Sequence, residues 1–205
     1  MPDPKRLNVV LDLDQTLISA EDWDTEDFNN NKVKAKKFEF HDMDGYYIVF
    51  ERPNLQSFLD YLFANFNVSV WTAASKDYAL FIVDKILLTK PNRHLDWIFF
   101  SYHCDLSKKK KDGSKDLSMF WDEYKLVGYN KDNTVIIDDY DEVYETQPHN
   151  CIIAVPFEFT AKNSENDTYL KDLQRLLSTM QQGKPAKSVN SSLGLPEPDP
   201  EPLKK

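Results

Sequence analysis

The sequence predicts an α/β fold: a mostly parallel central sheet flanked by helices, with a small β-hairpin insertion and no large cap domain. Three observations carry that expectation. Apolar runs too short for helices alternate with segments of helical periodicity, the order that a parallel sheet requires. Two of those runs end in acids, Asp12-Leu13-Asp14 and Asp138-Asp139. The one stretch of two-residue alternation, Lys37 to Glu51, turns on Asp44-Gly45, a dipeptide that readily takes the positive φ of a tight turn.

Taken in order, residues 1–6 are a short polar lead-in. Val9, Val10 and Leu11 read as a buried strand that breaks into the polar run Asp12-Leu13-Asp14-Gln15-Thr16. Glu21 to Lys37 is rich in Asp, Asn and Lys and reads as an exposed loop ahead of the hairpin. Arg52-Pro53 stops the hairpin, and Asn54 stands where it can cap a helix with Leu55, Phe58, Leu59, Leu62 and Phe63 on one face. Val68 to Trp71 is the next strand, ending at Thr72-Ala73-Ala74-Ser75. Lys76 to Leu88 has helical periodicity through Tyr78, Phe81, Ile82 and Ile86.

Trp97 to Phe100 is a further short strand, followed by a polar loop holding Lys108 to Lys111 and then Lys115-Asp116-Leu117. Thr134 to Ile137 and Ile152 to Val155 complete the core strands. Asp167 to Met180 is amphipathic, with Leu170, Leu173, Leu176 and Leu177 inward. Gly, Pro, Ser and Lys dominate from Gln182 on, so a single domain over residues 7–181 is expected, with a disordered Pro-rich tail over 182–205.

Composition narrows the function classes. At 205 residues and 41% hydrophobic the chain can bury a sizeable core as a monomer. A net charge of -9 opposes a nucleic-acid-binding face, which needs clustered Lys and Arg. Cys104 and Cys151 match neither a zinc spacing nor a disulfide framework, and with no apolar run near 18 residues neither a signal peptide nor a membrane span is expected. The expected place is cytosolic or nuclear, away from membranes.

Two carboxylates at the end of a buried strand are costly without a cation to satisfy them, and strand ends line the crevice of an open parallel sheet. A phosphate ester would give each polar group a distinct task. Asp12 would attack phosphorus, and Asp14 would protonate the leaving oxygen and later activate water. Thr72 and nearby backbone N–H groups, with Ala73 among them, would hold a phosphoryl oxygen, and Lys115 would balance charge. Asp139 would complete a Mg²⁺ site with Asp12 and the backbone carbonyl of Asp14, with Asp138 in support.

The blocks DLDQTLISA, ERPNLQSFLDYLFANFNVSVWTAAS, SKDLS and VIIDDYDEVY, in that order, resemble the FCP/SCP-like (NLI-interacting-factor-like) phosphatases of the haloacid dehalogenase superfamily, which act on phosphoserine in the C-terminal repeats of RNA polymerase II. The resemblance implies a Rossmann-like fold, Mg²⁺, a phospho-aspartate intermediate and a phosphoprotein substrate. It implies Asp12 as nucleophile, Asp14 as acid/base, Thr16, Thr72, Ala73 and Lys115 as phosphate ligands, and Asp12, Asp14 and Asp139 at the metal. One departure stands out. Small members of the family carry an Arg just after the strand that ends here at Phe100, and this chain has Ser101, so one of Lys108 to Lys111 is a candidate replacement.

An insertion between Ile18 and Glu51 with room for only a loop and a hairpin leaves the site open, which suits an extended phosphopeptide better than a small metabolite. Phe38, Phe40, Tyr46, Tyr47 and Phe50 on the hairpin form either ordinary packing or a pocket for a proline beside the phosphoserine. A phosphatase of small metabolites and a catalytically silent phosphopeptide-binding module remain as alternatives. His103-Cys104 does not make a cysteine phosphatase, because Lys110 stands where that loop needs an Arg. Trp71 and Trp97 are expected in the core.

Overall fold

The computed structural model describes residues 2–111, 113–180 and 190–193. Its centre is β1 (Asn8–Leu11), paired in parallel on one side with β5 (Asn67–Trp71) and on the other with β7 (Thr134–Asp138). β6 (Ile98–Phe99) and β8 (Cys151–Ile153) form the two edges, giving the order β6-β5-β1-β7-β8 with every pairing parallel. The chain builds outward from β1 first to one side and then to the other, so the order switches at β1. Such a switch opens a crevice beyond the carboxyl ends of the central strands.

Helices cover both faces of this sheet. α3 (Leu55–Asn65) buries Leu55, Phe58, Leu59, Leu62 and Phe63, and α7 (Tyr169–Met180) packs beside it through Leu170, Leu173 and Leu177. α4 (Lys76–Ile82) runs on as a wider π-helical turn over Val83–Leu87. On the other face Trp71, Phe99, Phe120 and Tyr129 gather around Val10 and Ile136. Trp71 is fully buried, whereas Trp97, expected in the core, is 40% exposed because it precedes the two-residue edge strand β6.

The insertion after β1 is more than a loop and a hairpin. β2 (Ile18–Asp22), β3 (Phe40–Met43) and β4 (Tyr47–Glu51) form an antiparallel sheet in the order β2-β4-β3. The stretch expected as an exposed loop contains the end of β2 and two short helices, α1 (Glu26–Asn30) and α2 (Lys32–Ala35). Its polar composition hides the few inward groups: Phe28, Ala35 and Phe38 pack with Ile48, Phe50, Phe157 and Phe159 into a core of their own. The hairpin aromatics accordingly divide. Phe38 and Phe50 are buried, Phe40 and Tyr46 are exposed, and Tyr47 turns towards Tyr78, so the five do not make one pocket.

Three further expectations change. Asn54 precedes α3, but in the left-handed conformation (φ 70°) and without a side-chain cap; its amide donates instead to the Asp167 carbonyl at 3.4 Å. The lysine run lies on α5 (Ser101–Lys110), not on a loop, with Cys104 and Ser107 the buried positions of a helix that has too few apolar residues to show a stripe. Of the expected tail, residues 182–189 and 194–205 lie outside the described residues, as does residue 181 at the end of the domain. Within the tail, Asn190 is buried, its side chain accepting from the Ile153 N–H and donating to the Cys151 carbonyl, both at 3.0 Å. Among the described residues no helix is long and apolar enough to cross a membrane.

Candidate active site

The ladder continues one residue past β1: the Asp12 N–H donates to the Ile137 carbonyl at 3.0 Å, which sets Asp12 at the floor of the crevice with 5% of its surface exposed. The chain then turns sharply. Leu17 and Ile18 both return their N–H groups to the Leu13 carbonyl, and Gln15 takes a positive φ of 57°, a conformation costing a non-glycine residue about 1 kcal/mol. Leu13 is fully buried, so the turn separates the two acids from the apolar residue between them. Arg52 anchors the turn from below. It is 1% exposed, pairs in two-pronged fashion with Asp167 at 2.9 and 3.0 Å, and donates to the Thr16 and Val155 carbonyls.

Lys115 sits opposite, 4% exposed, and its Nζ bridges Asp12 Oδ1 at 2.6 Å and Asp138 Oδ2 at 2.7 Å. Burial alone would lower its pKa, but the two carboxylates outweigh it and hold the ammonium charged. The loop carrying Lys115 is fixed by Gln147, which donates to the Lys115 carbonyl at 2.7 Å and accepts from the Leu117 N–H at 3.0 Å.

Asp14 is oriented differently. Its Oδ1 accepts from the Tyr78 hydroxyl at 2.5 Å. Burial raises its pKa to about 6, with the Asp12 charge adding and the Tyr78 hydrogen bond opposing. Burial and Asp12 likewise raise Asp139 to about 6 and push Asp138 upward against the pull of Lys115. Two carboxylates, Asp12 and Asp138, thus share one lysine, and Asp14 and Asp139 crowd Asp12. Oxygens of Asp12, Asp138 and Asp139 lie within 4.8 Å of one another, a hard, negatively charged donor set that fits a divalent cation such as Mg²⁺.

Asp12, Asp14, Thr72, Ala73, Lys115, Asp138 and Asp139 all line one cleft of about 360 Å³. Thr72 Oγ1 accepts from the Ala74 N–H at 3.1 Å, while the Ala73 N–H at the cleft has no partner among the described residues. Thr16 differs from expectation. It is fully buried, does not line the cleft, and its hydroxyl lies 3.3 Å from Asp12 Oδ2 and 3.2 Å from Asp139 Oδ1, bracing the two carboxylates rather than facing a phosphate.

Tyr78 and Cys104, absent from the sequence-based set, also belong here, and of the candidate run Lys108 to Lys111 it is Lys108 that joins them. Tyr78 looks like an ordinary apolar helix position, and only its place on the first turn after Thr72 hints at the site. Cys104 and Lys108, four apart on α5, both line the cleft. The Cys104 thiol contacts the Thr72 carbonyl at 3.6 Å and is pushed up by burial, so it is poorly suited to act as a nucleophile. Lys110 and Lys111 are paired with Glu123 and Asp122, but Lys108 has no ion-pair partner among the described residues. A second recess of about 360 Å³ adjoins Asp14, between Ala20 and Tyr47 of the insertion and Ala74, Ser75 and Tyr78 of the main domain.

The model of NLI interacting factor-like phosphatases matches residues 7–189. The chain belongs to that family. It is 47% identical over 176 residues to a CTD phosphatase-like protein, 355R, of invertebrate iridescent virus 6, covering 83% of this chain and 97% of that protein. The counterpart in invertebrate iridescent virus 3 is 42% identical over 186 residues, covering 87% of this chain and 99% of the relative. Among solved structures it resembles Fcp1, an RNA polymerase II CTD phosphatase, with a TM-score of 0.53 and 21% identity over 97% of this chain. A fission yeast Fcp1 variant bound to beryllium fluoride gives a TM-score of 0.54 at 22% identity. The chain spans 56% and 60% of the length of those two structures. At such identities the likeness is one of fold: a central parallel sheet flanked by helices, with a small antiparallel sheet added.

Proposed function

We propose that this chain is a Mg²⁺-dependent phosphoprotein phosphatase that acts on phosphoserine or phosphothreonine through a phospho-Asp12 intermediate. The observation that carries the reading is the different treatment of two neighbouring carboxylates. Asp12 is held by a charged lysine at the cleft floor, whereas Asp14 is buried against a tyrosine with its pKa raised to about 6. One lies against an ammonium at the cleft floor, and the other is poised to give and take a proton near neutral pH.

In the proposed reaction an Asp12 oxygen attacks phosphorus and the bond from phosphorus to the substrate hydroxyl oxygen breaks. The departing oxygen takes the bond's electron pair and receives the Asp14 proton. Asp14, now ionised, then takes a proton from a water molecule as that water attacks phosphorus, and phosphate leaves Asp12. The Thr72 hydroxyl, the Ala73 N–H and Lys115 hold the equatorial oxygens. Asp12, the Asp14 carbonyl and Asp139 would hold Mg²⁺, which when bound neutralises charge building up on the phosphoryl oxygens.

The recess beside Asp14, bordered by Ala20 and Tyr47 of the insertion, gives an extended peptide a place for a neighbouring side chain. Family membership and the CTD phosphatase-like relatives favour a Ser-Pro phosphopeptide such as the polymerase C-terminal repeat. Phosphate release from a panel of such peptides, with Mg²⁺ and with EDTA, tests this. Asp12→Asn should abolish release while circular dichroism stays native. Release at the wild-type level by that variant would overturn the covalent route, and a strong preference for sugar phosphates would overturn the substrate class.

A further inference from the structure

The sheet of the insertion has two faces. One, carrying Ala20, Val49 and Tyr47, looks to the main domain and the cleft. The other holds an apolar pocket of about 330 Å³ with Ile48 and Phe50 beneath, Trp23 and Phe40 beside it, and Lys32 and Lys36 at its edge. Trp23 is 39% and Phe40 51% exposed, unusual for aromatic rings that border a cavity. The neighbouring Lys34 and Lys37 are both engaged by Glu165, whereas Lys32 and Lys36 have no ion-pair partner among the described residues. In a protein of net charge -9, this is an aromatic groove with a free positive edge.

An occupant must therefore be apolar in its centre and acidic along one side. Residues 195–202 of this chain read Leu-Pro-Glu-Pro-Asp-Pro-Glu-Pro, with three carboxylates, Glu197, Asp199 and Glu201, set between prolines. Pro-rich segments dock in aromatic-lined grooves at low entropic cost, and the carboxylates would meet the two lysines. The reach is sufficient. Asn190 is bonded to Ile153, six residues before Phe159, whose ring stacks on Phe50 at 3.9 Å. At no more than about 3.6 Å per residue, those six residues span at most about 22 Å of backbone. Asn190 to Leu193 form a turn closed by the Leu193 N–H on the Asn190 carbonyl and add only about 5 Å, while the eight residues from Leu193 to Glu201 extend to about 29 Å, so the second half of the segment covers that separation.

We infer that the acidic Pro-rich segment 195–202 docks in cis into the Trp23–Phe40 pocket, against Lys32 and Lys36. The inference does not depend on the reaction assigned to the cleft. Carbodiimide cross-linking of the full chain, which joins carboxylates directly to lysine amines, tests it when an equal mixture of ¹⁵N-labelled and unlabelled protein is used. Links from Glu197, Asp199 or Glu201 to Lys32 or Lys36 are expected within chains of one isotope, and they should be lost in the double variant Lys32→Glu, Lys36→Glu. In parallel, the ¹⁹F resonance of 5-fluorotryptophan at Trp23, assigned with Trp23→Phe, should move when Glu197, Asp199 and Glu201 are replaced by Lys. Links between light and heavy chains would overturn the cis arrangement and assign the pocket to a second copy. No link together with an unmoved Trp23 resonance would overturn the inference entirely.

Discussion

The Tyr78 hydroxyl, on the first turn of α4, donates to Asp14 Oδ1 at 2.5 Å while its ring meets Tyr47 of the insertion edge-on, with centroids 5.8 Å apart. One side chain therefore ties the proposed acid/base to the element that borders the recess beside Asp14. A hydrogen bond to the ionised carboxylate lowers its pKa, against the burial that raises it to about 6. Asp14 must be protonated to serve the leaving group, so kcat/KM for a phosphoserine peptide should fall as pH rises through about 6. Tyr78→Phe removes the opposing bond and should shift that limb to higher pH. An aryl phosphate, whose leaving group needs little protonation, should show a much weaker limb in both proteins. An unmoved limb in stopped-time phosphate assays would remove Asp14 as its source.

Lys115 is the counter-ion of two buried carboxylates, Asp12 and Asp138. Lys115→Met strands both, a loss of about 3–5 kcal/mol for a broken buried pair, or about 10 °C in Tm for a chain of this size. Adding Asp138→Asn should recover part of that stability without recovering turnover, since phosphate would still lack its lysine. Thermal melts of the single and double variants, run beside activity assays, read the two effects separately.

Asp139 is crowded by Asp12 and half-buried, with its pKa raised from 3.8 to about 6. The folded state thus binds this proton more tightly than the unfolded chain does. The resulting stability is present at low pH and lost as pH rises from about 4 through about 6. At pH 7.5 without metal the ionised group is a liability of about 1 kcal/mol once its solvent exposure is allowed for. Asp139→Asn should therefore raise the Tm of the metal-free protein by about 3 °C and abolish any further rise on adding Mg²⁺. A Mg²⁺-induced rise equal to that of the wild type would remove Asp139 from the proposed metal site.

Lys108 faces the cleft without an acidic partner among the described residues, in contrast to Lys110 and Lys111. Lys108→Ala should raise KM for a phosphopeptide about ten-fold, as expected for one charge-assisted contact of about 1.5 kcal/mol, with little change in Tm. Lys109→Ala is the matched control on the same helix and should leave KM near its wild-type value. Equal effects from the two would mean that the run acts only as diffuse positive charge.

Much of the site is legible in the sequence because its signals are local. Asp12-Leu13-Asp14 and Asp138-Asp139 follow apolar runs that are too short for helices, and acids at the ends of buried strands need a cation wherever the rest of the chain goes. The parallel sheet is equally plain, since the same runs alternate with helical periods. What was hidden is whatever depends on a partner far along the chain. Thr16 and Thr72 look alike in sequence, yet one braces Asp12 against Asp139 beneath the floor and the other lines the cleft. Tyr78 reads as a core position until its hydroxyl meets Asp14, 64 residues away. Arg52 reads as the end of a hairpin, although it holds the Thr16 carbonyl and Asp167. The positions of the acids and the core strands can be read from the chain alone, because hydrophobic period and strand-end charge are written in adjacent residues. Which hydroxyl, lysine and arginine each acid meets emerges only on folding, because hydrogen bonds of about 3 Å are set by the packing of whole elements and leave no periodic trace in the chain.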